Sequence, residues 1–450
     1  MAHELRGGRA RELRRFKQLS AAGGRQLKLA GVLWWLFCAS LAPLPAAAAA
    51  TNAPAAFNVE AATRAYLDQL TPAQKARSDA YFEGGYWLQL WDFLWGTAVL
   101  LLLLESGGSR RLRDLAARWT RFPSLQTAIY ALGFVLALTV LTFPLTLYES
   151  YYREKQYGMA NQTLGGWLGD QVTSLMVSEI AGAVALVLLF AIVRRLRRTW
   201  HIWGAVTALG LFMLLAALGP VYIAPLFNKY TVLSDPKVLQ PILRLARANG
   251  IPADKVYVMD ASRQTKRISA NVSGLLGTTR ITLNDNLLNR SSLPEIEAIM
   301  GHEMGHYVMH HIYKDILFMG VIIVLGFALL RAVLDWSLAR RGGRWGITDI
   351  GDPAVLPLAM LLFSTYLFLL TPVLNTSTRT QEMEADRFGL NAARQPDGFA
   401  RAALKLSEYR KMEPTPFEEW FFYDHPSGAT RIRTAMQWKA ENLGTADALP

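Results

Sequence analysis

Four of the chain's seven histidines fall within Gly301–His311, GHEMGHYVMHH. His302 and His306 are four residues apart, so on a helix their imidazoles share one face, about 40° apart in projection. Glu303 lies between them and can reach a metal-held water without being a ligand itself. This H-E-x-x-H arrangement supplies two zinc ligands and a general base. A catalytic zinc takes a third protein ligand and keeps one position open. TRTQEMEADRFG, Thr378–Gly389, offers Glu382, Glu384 and Asp386. On a helix Glu382 and Asp386 share a face while Glu384 points away. That geometry selects Glu382 as third ligand, lets Asp386 accept a hydrogen bond from a ligand imidazole, and leaves Glu384 expendable. His310 and His311 are weaker candidates: one of them could stabilise the site, but both read better as surface or interfacial histidines.

The elements that must position these groups are membrane elements. The chain has 450 residues, 52% of them hydrophobic and 18% charged, with a mean hydropathy of +0.18. The formal net charge is +12, but its densest basic runs adjoin apolar segments. Membrane anchoring explains that placement better than nucleic-acid binding. A single cysteine, Cys38, excludes an intrachain disulfide. After a basic tail (1–29), residues 30–50 form a first apolar segment, either a span or a signal peptide ending near Ala48. A linker (51–86) leads to four apolar runs within 87–228, and two more follow within 312–374. Each of these six approaches or exceeds the roughly 20 helical residues that cross a hydrocarbon core. Two runs carry an acid, Asp92 and Glu179, which should face a polar interior rather than lipid; Asp92 could also sit at the interface.

Between these groups of spans lies a soluble insert, 229–311, with a helix ending at Gly250, short strands at KVYVMDA and TRITLND, and a possible third at NVSGLLG. Ser292, Pro294 and Glu295 start a helix that carries the histidines and runs on toward the membrane. Residues 375–450 read as helices bearing the third ligand, with a loop at EPTPFEEWFFYDHPSG. The expected fold is therefore mainly α: a polytopic bundle of six or seven spans with a small α/β zinc metalloprotease domain.

Charge also predicts sidedness. The tail has eight Arg or Lys, and the loops after the second, fourth and sixth spans have five, four and three. Counting spans puts all of them on one side, which should be cytoplasmic. The insert and C-terminal part then face the other side, the periplasm if the source is bacterial and the membrane its inner membrane.

In sequence the chain resembles the CAAX prenyl protease 1 (sterile-24 type) family of integral-membrane zinc endopeptidases. YESYYREKQYGMANQTLGGWLGD, YIAPLFNKYT, KVYVMDASRQTKRISANVSG, TRITLNDNLL, GHEMGH, TRTQEMEADRFG and DHPSGATRIRTAMQW carry the resemblance from about Tyr81 onward. It implies seven helices around a large hydrophilic chamber, through which water would reach one Zn2+ per chain. It also implies Glu382 as third ligand and Asp386 as its neighbour, in agreement with the helical argument. His425 and Arg431, following Pro426 in the family pattern, would bind the scissile or an adjacent carbonyl, and Asn271, Val272 and Ser273 would pair with the substrate as an added strand. Where the family commonly reads Asn-Ala-Tyr-x-x-Gly, this chain reads Ser269-Ala-Asn-Val-Ser-Gly274. The implied activity is hydrolysis of peptides or proteins that are membrane-associated or lipidated, including CAAX processing, with membrane lipids as surroundings. A quality-control protease of the HtpX type shares the zinc motif but usually has fewer spans. A receptor or transporter with a vestigial zinc site would lack the need for Glu303.

Overall fold

The computed structural model describes residues 57–273 and 279–442; the basic tail and the apolar segment 30–50 lie outside them. Residues 57–86, read as a linker, are helical. Helix α1 (Val59–Leu67) precedes α2 (Pro72–Glu105), whose start is fixed by a Thr71/Gln74 capping box and Pro72 in the first turn. The apolar run is only the second half of α2. Then come α3 (Gly108–Trp119), α4 (Pro123–Leu147, extended through a π-helical turn to Gln156), α5 (Leu164–Arg195) and α6 (Trp200–Leu218, extended to Leu226). On α5 the residues Val172, Met176, Ile180, Val184 and Leu188 form an exposed stripe at four-residue spacing, the face a bilayer would cover. Asp92 on α2 and Glu149 on the π-turn are neighbours. These acids therefore meet between spans.

A small mixed sheet follows. Strand β1 (Tyr230–Val232) was not legible in the sequence; α7 (Pro236–Ala248) ends at Asn249 and a left-handed Gly250. Strands β2 (Val256–Met259), β3 (Ala270–Ser273) and β4 (Arg280–Asn284) complete the order β1-β2-β4-β3, with β2 and β4 parallel and the other pairs antiparallel. Strand β3 is an edge. After α8 (Asp285–Arg290), α9 (Leu293–Val308) lays Ile296, Met300 and Met304 on the sheet, packed with Ile242, Val256, Ile281 and Leu283. His302 and His306 are two residues out of phase with that stripe, about 200° around the helix, so they face away from the sheet.

The helix does not run on into the membrane as expected. It stops at Val308, and His310 adopts a left-handed conformation (φ 58°, ψ 36°) before α10 (His311–Trp345) starts in a new direction. Helix α10 is the fifth helix long and apolar enough to span, and α11 (Leu356–Leu369) joins α12 (Thr371–Ala393) at a bend of 53° to form a sixth candidate. Helices α13 (Pro396–Lys405), α14 (Pro416–Phe422) and α15 (Gly428–Glu441) end the described chain. Helix α14 lies inside the segment read as a loop. Its signal was present, since Thr415 and Glu418 form a capping box ahead of Pro416.

Candidate metal centre

Helices α9 and α12 cross at backbone contact, and glycines make that possible. A Cβ on Gly389 would stand 2.7 Å from the His302 backbone nitrogen, and one on Gly301 would stand 3.0 Å from the Gly389 carbonyl oxygen. With side chains removed at the crossing, Glu382 on α12 reaches both histidines of α9. His302 Nε2 lies 3.2 Å from Glu382 Oε2, and His306 Nε2 lies 3.3 Å from Glu382 Oε1. The two Nε2 atoms are 3.1 Å apart. One ligand atom from each of the three residues falls within 4.8 Å of the others.

The donor set fits a cation. Asp386 Oδ1 lies 2.8 Å from His302 Nδ1, so it accepts the Nδ1 proton and leaves the Nε2 lone pair directed at His306 and Glu382. Two such lone pairs and a carboxylate in contact repel one another unless positive charge sits between them. Glu382 Oε2 is buried without a hydrogen-bond partner among the described residues, an orphan that a metal ion would satisfy. Burial works against charge on His302, yet the neighbouring Asp386 and Glu382 carboxylates outweigh it and push its pKa up to about 10. The potential that retains a proton there would equally attract a metal.

Glu303, His425 and Arg431 line a cavity of about 370 Å³ together with the three candidate ligands. Burial pushes the Glu303 carboxyl upward, an environment suited to accepting and returning a proton. His425 gives Nδ1 to Asp424 at 2.7 Å and sets Nε2 at 3.3 Å from Glu382 Oε2. Arg431 donates Nε to Asp386 Oδ2 at 3.0 Å, with Nη2 also on Asp386. Ser269 and Ala270 bring the start of β3 into the same wall. Asn271, Val272 and Ser273 continue along that edge strand, with Asn271 exposed. Of the site residues read from the sequence, the cavity wall therefore takes His302, Glu303, His306, Glu382, His425 and Arg431, with Asp386 behind His302 and Arg431; Asn271, Val272 and Ser273 are not part of that wall.

Beyond these, α4's C-terminal extension and the residues that follow it, as far as Asn161, hold the approach to β3. Lys266 donates its backbone N–H to Met159 O at 3.0 Å, Asn161 donates to Gln264 O at 2.9 Å, and Arg267 Nη2 donates to Glu154 Oε2 at 2.9 Å. The YREKQYGMAN motif is therefore a clamp on the segment feeding the edge strand.

Two expectations change. His311 is 2% exposed rather than a surface histidine; its Nδ1 lies 2.9 Å from His306 Nδ1. Glu384 does point away from the Glu382 face, but there it meets His311 Nε2 at 3.0 Å and Lys314 Nζ at 2.7 Å. It is not a free surface charge. No periodicity signalled this, because it depends on the left-handed turn at His310.

The family model described as peptidase family M48 matches residues 233–439, and the one described as CAAX prenyl protease N-terminal, five membrane helices, matches residues 57–229. The chain is 28% identical over 427 residues to "Uncharacterized metalloprotease YhfN" of Bacillus subtilis, across 94% of this chain and 97% of that protein. It is 30% identical over 307 residues to "CAAX prenyl protease 1 homolog" of Dictyostelium discoideum, across 66% and 70% of the two chains. The crystal structure of S. mikatae Ste24p matches with a TM-score of 0.70 at 24% identity, over 84% of this chain and 95% of that one, which shows a shared fold.

Proposed function

The chain belongs to the CAAX prenyl protease family of M48 peptidases, and from that premise we propose how its site cleaves a peptide bond. The protein is an integral-membrane metalloendopeptidase acting on peptide or protein substrates. His302, His306 and Glu382 would hold the metal, and zinc is the ion this N,N,O donor set suits. When bound, zinc supplies Lewis-acid polarisation of a carbonyl and lowers the pKa of water. Glu303 takes a proton from the attacking water and passes it to the leaving amine nitrogen. His425 and Arg431, on the cavity wall, meet the carbonyl oxygen as negative charge develops there. Asp386 fixes the ring of His302. The substrate chain adds to the free edge of β3 at Asn271, Val272 and Ser273, so backbone pairing would bring the scissile bond toward Glu303 and the candidate ligands.

The observation that carries this reading is the Glu382 carboxylate, its Oε2 orphaned, set against the Nε2 atoms of His302 and His306, with Glu303 on the same cavity. The substrates proposed are membrane-associated proteins, with lipidated CAAX termini as the class suggested by the relatives' names. The metal site is proposed to face the periplasm from a bacterial inner membrane, on the charge argument taken up in the Discussion.

Purified protein is expected to hold about one zinc per chain, in line with a single three-ligand site. Glu303→Ala should keep that zinc and lower peptide hydrolysis by about 100-fold or more, as loss of a general base does. Metal analysis together with hydrolysis of matched farnesylated and unmodified CAAX peptides checks this. Full activity in the variant would overturn the role of Glu303, and equal cleavage of both peptides would overturn a preference for lipid.

A further inference from the structure

For His306 to offer Nε2 to a metal as a neutral imidazole, its proton must reside on Nδ1 and needs an acceptor. His311 Nδ1, 2.9 Å away, is in that place. His311 can accept there only if its own proton is on Nε2, and Glu384 Oε2 lies 3.0 Å from Nε2 to receive it. Lys314 Nζ, 2.7 Å from the same oxygen, balances the carboxylate charge. Each proton in this row has one consistent position, from Glu384 through His311 to His306. On an uninterrupted helix His311 would sit about 140° around the axis from His306 and could not touch it. The left-handed turn at His310 folds it back.

We propose that His311, supported by Glu384 and Lys314, is a positioning residue that fixes the tautomer and ring orientation of the metal ligand His306. The inference rests on the metal reading given above. It gives α12 three acids with divided tasks: Glu382 faces the metal, Asp386 orients His302 directly, and Glu384 orients His306 through His311. It also ties the first turn of a membrane helix, where His311 and Lys314 sit, to the geometry of the centre. A carboxylate two residues from the ligand thus serves the site from the opposite face of its helix.

The test measures zinc affinity of the full-length protein by competition with a chromophoric chelator, alongside the visible spectrum of the cobalt-substituted form. His311→Leu removes the acceptor and should weaken zinc binding by about 10- to 100-fold, the range for loss of a partner behind a metal ligand. His311→Asn places a carbonyl oxygen where Nδ1 stood and should recover most of the affinity and the native cobalt spectrum. Glu384→Gln keeps an acceptor for His311 without the charge and should fall between wild type and His311→Leu. Wild-type affinity in a folded His311→Leu protein would overturn the proposal. Equal losses in the Leu and Asn variants would also overturn it, because they would assign the effect to packing. A wild-type protein that binds no zinc would instead remove the metal reading on which the proposal stands.

Discussion

Arg431 shows how closely support and chemistry are joined at this site. It lines the cavity, yet both Nε and Nη2 are engaged by Asp386, and both side chains are nearly buried. Burial works against the guanidinium charge, and Asp386 more than restores it. Removing one member of such a pair strands the other, at a cost of about 3–5 kcal/mol. Arg431→Ala is therefore expected to lower the thermal midpoint and the zinc content together with turnover. An unchanged midpoint and full zinc with lost turnover would confine Arg431 to the substrate carbonyl. The ligands themselves were legible in the sequence because His302/His306 and Glu382/Asp386 each obey the four-residue helical repeat. His311 was not, since a non-glycine residue at positive φ gives no pattern to read.

At the level of elements, the metal helix is fixed at its start by polar groups and along its length by packing. Glu295 is 3% exposed, caps the Ser292 backbone N–H at 2.6 Å and pairs with Lys405 Nζ at 2.8 Å. Burial pushes its carboxyl up, but Lys405 and Ser292 outweigh burial and hold it below its ordinary value of 4.5. A carboxyl depressed in the folded state stabilises above its unfolded pKa, and that contribution is lost as pH falls through the folded value. Glu295→Gln should cost about 1 kcal/mol at pH 7, as helix-capping losses do, and the gap to wild type should narrow below about pH 4.5. Thermal unfolding at both pH values reads this; a gap that widens in acid would contradict it. The start of α9 could be read in advance because a capping box is a local signal. Its end could not, since the apolar run after His311 continues the helical pattern straight across the break. Strand β1, with three residues at a sheet margin, is too short to show alternation. The crossing of α9 and α12 was hidden for another reason: the glycines that permit it are visible, but which backbone meets them is a tertiary fact.

Across the whole molecule, charge separates the two ends of the bundle. Arg344 Nη2 pairs with Glu105 at 2.6 Å, and Arg194 Nε donates to the Gly351 carbonyl at 2.9 Å. Arg113 and Arg197 pair with Asp352 and Asp349. The basic segments after α2, α5 and α10 therefore meet at one end, as counting spans required. Helix α10 starts at His311 beside the metal centre and ends at Trp345 in that basic cluster. Its 35 residues correspond to a rise of roughly 52 Å, more than a hydrocarbon core. The metal centre and the arginine-rich loops thus stand at opposite ends of α10. Arg- and Lys-rich loops are retained in the cytoplasm as a rule, and on that ground the proposed orientation puts the centre, and α15 with Arg431, on the far side. A C-terminal alkaline phosphatase fusion made in a bacterial inner membrane should be active, and a green fluorescent protein fusion at the same point should be dark. A bright fluorescent fusion with inactive phosphatase would show that the centre faces the cytoplasm, and that the charge bias does not set the orientation of this chain.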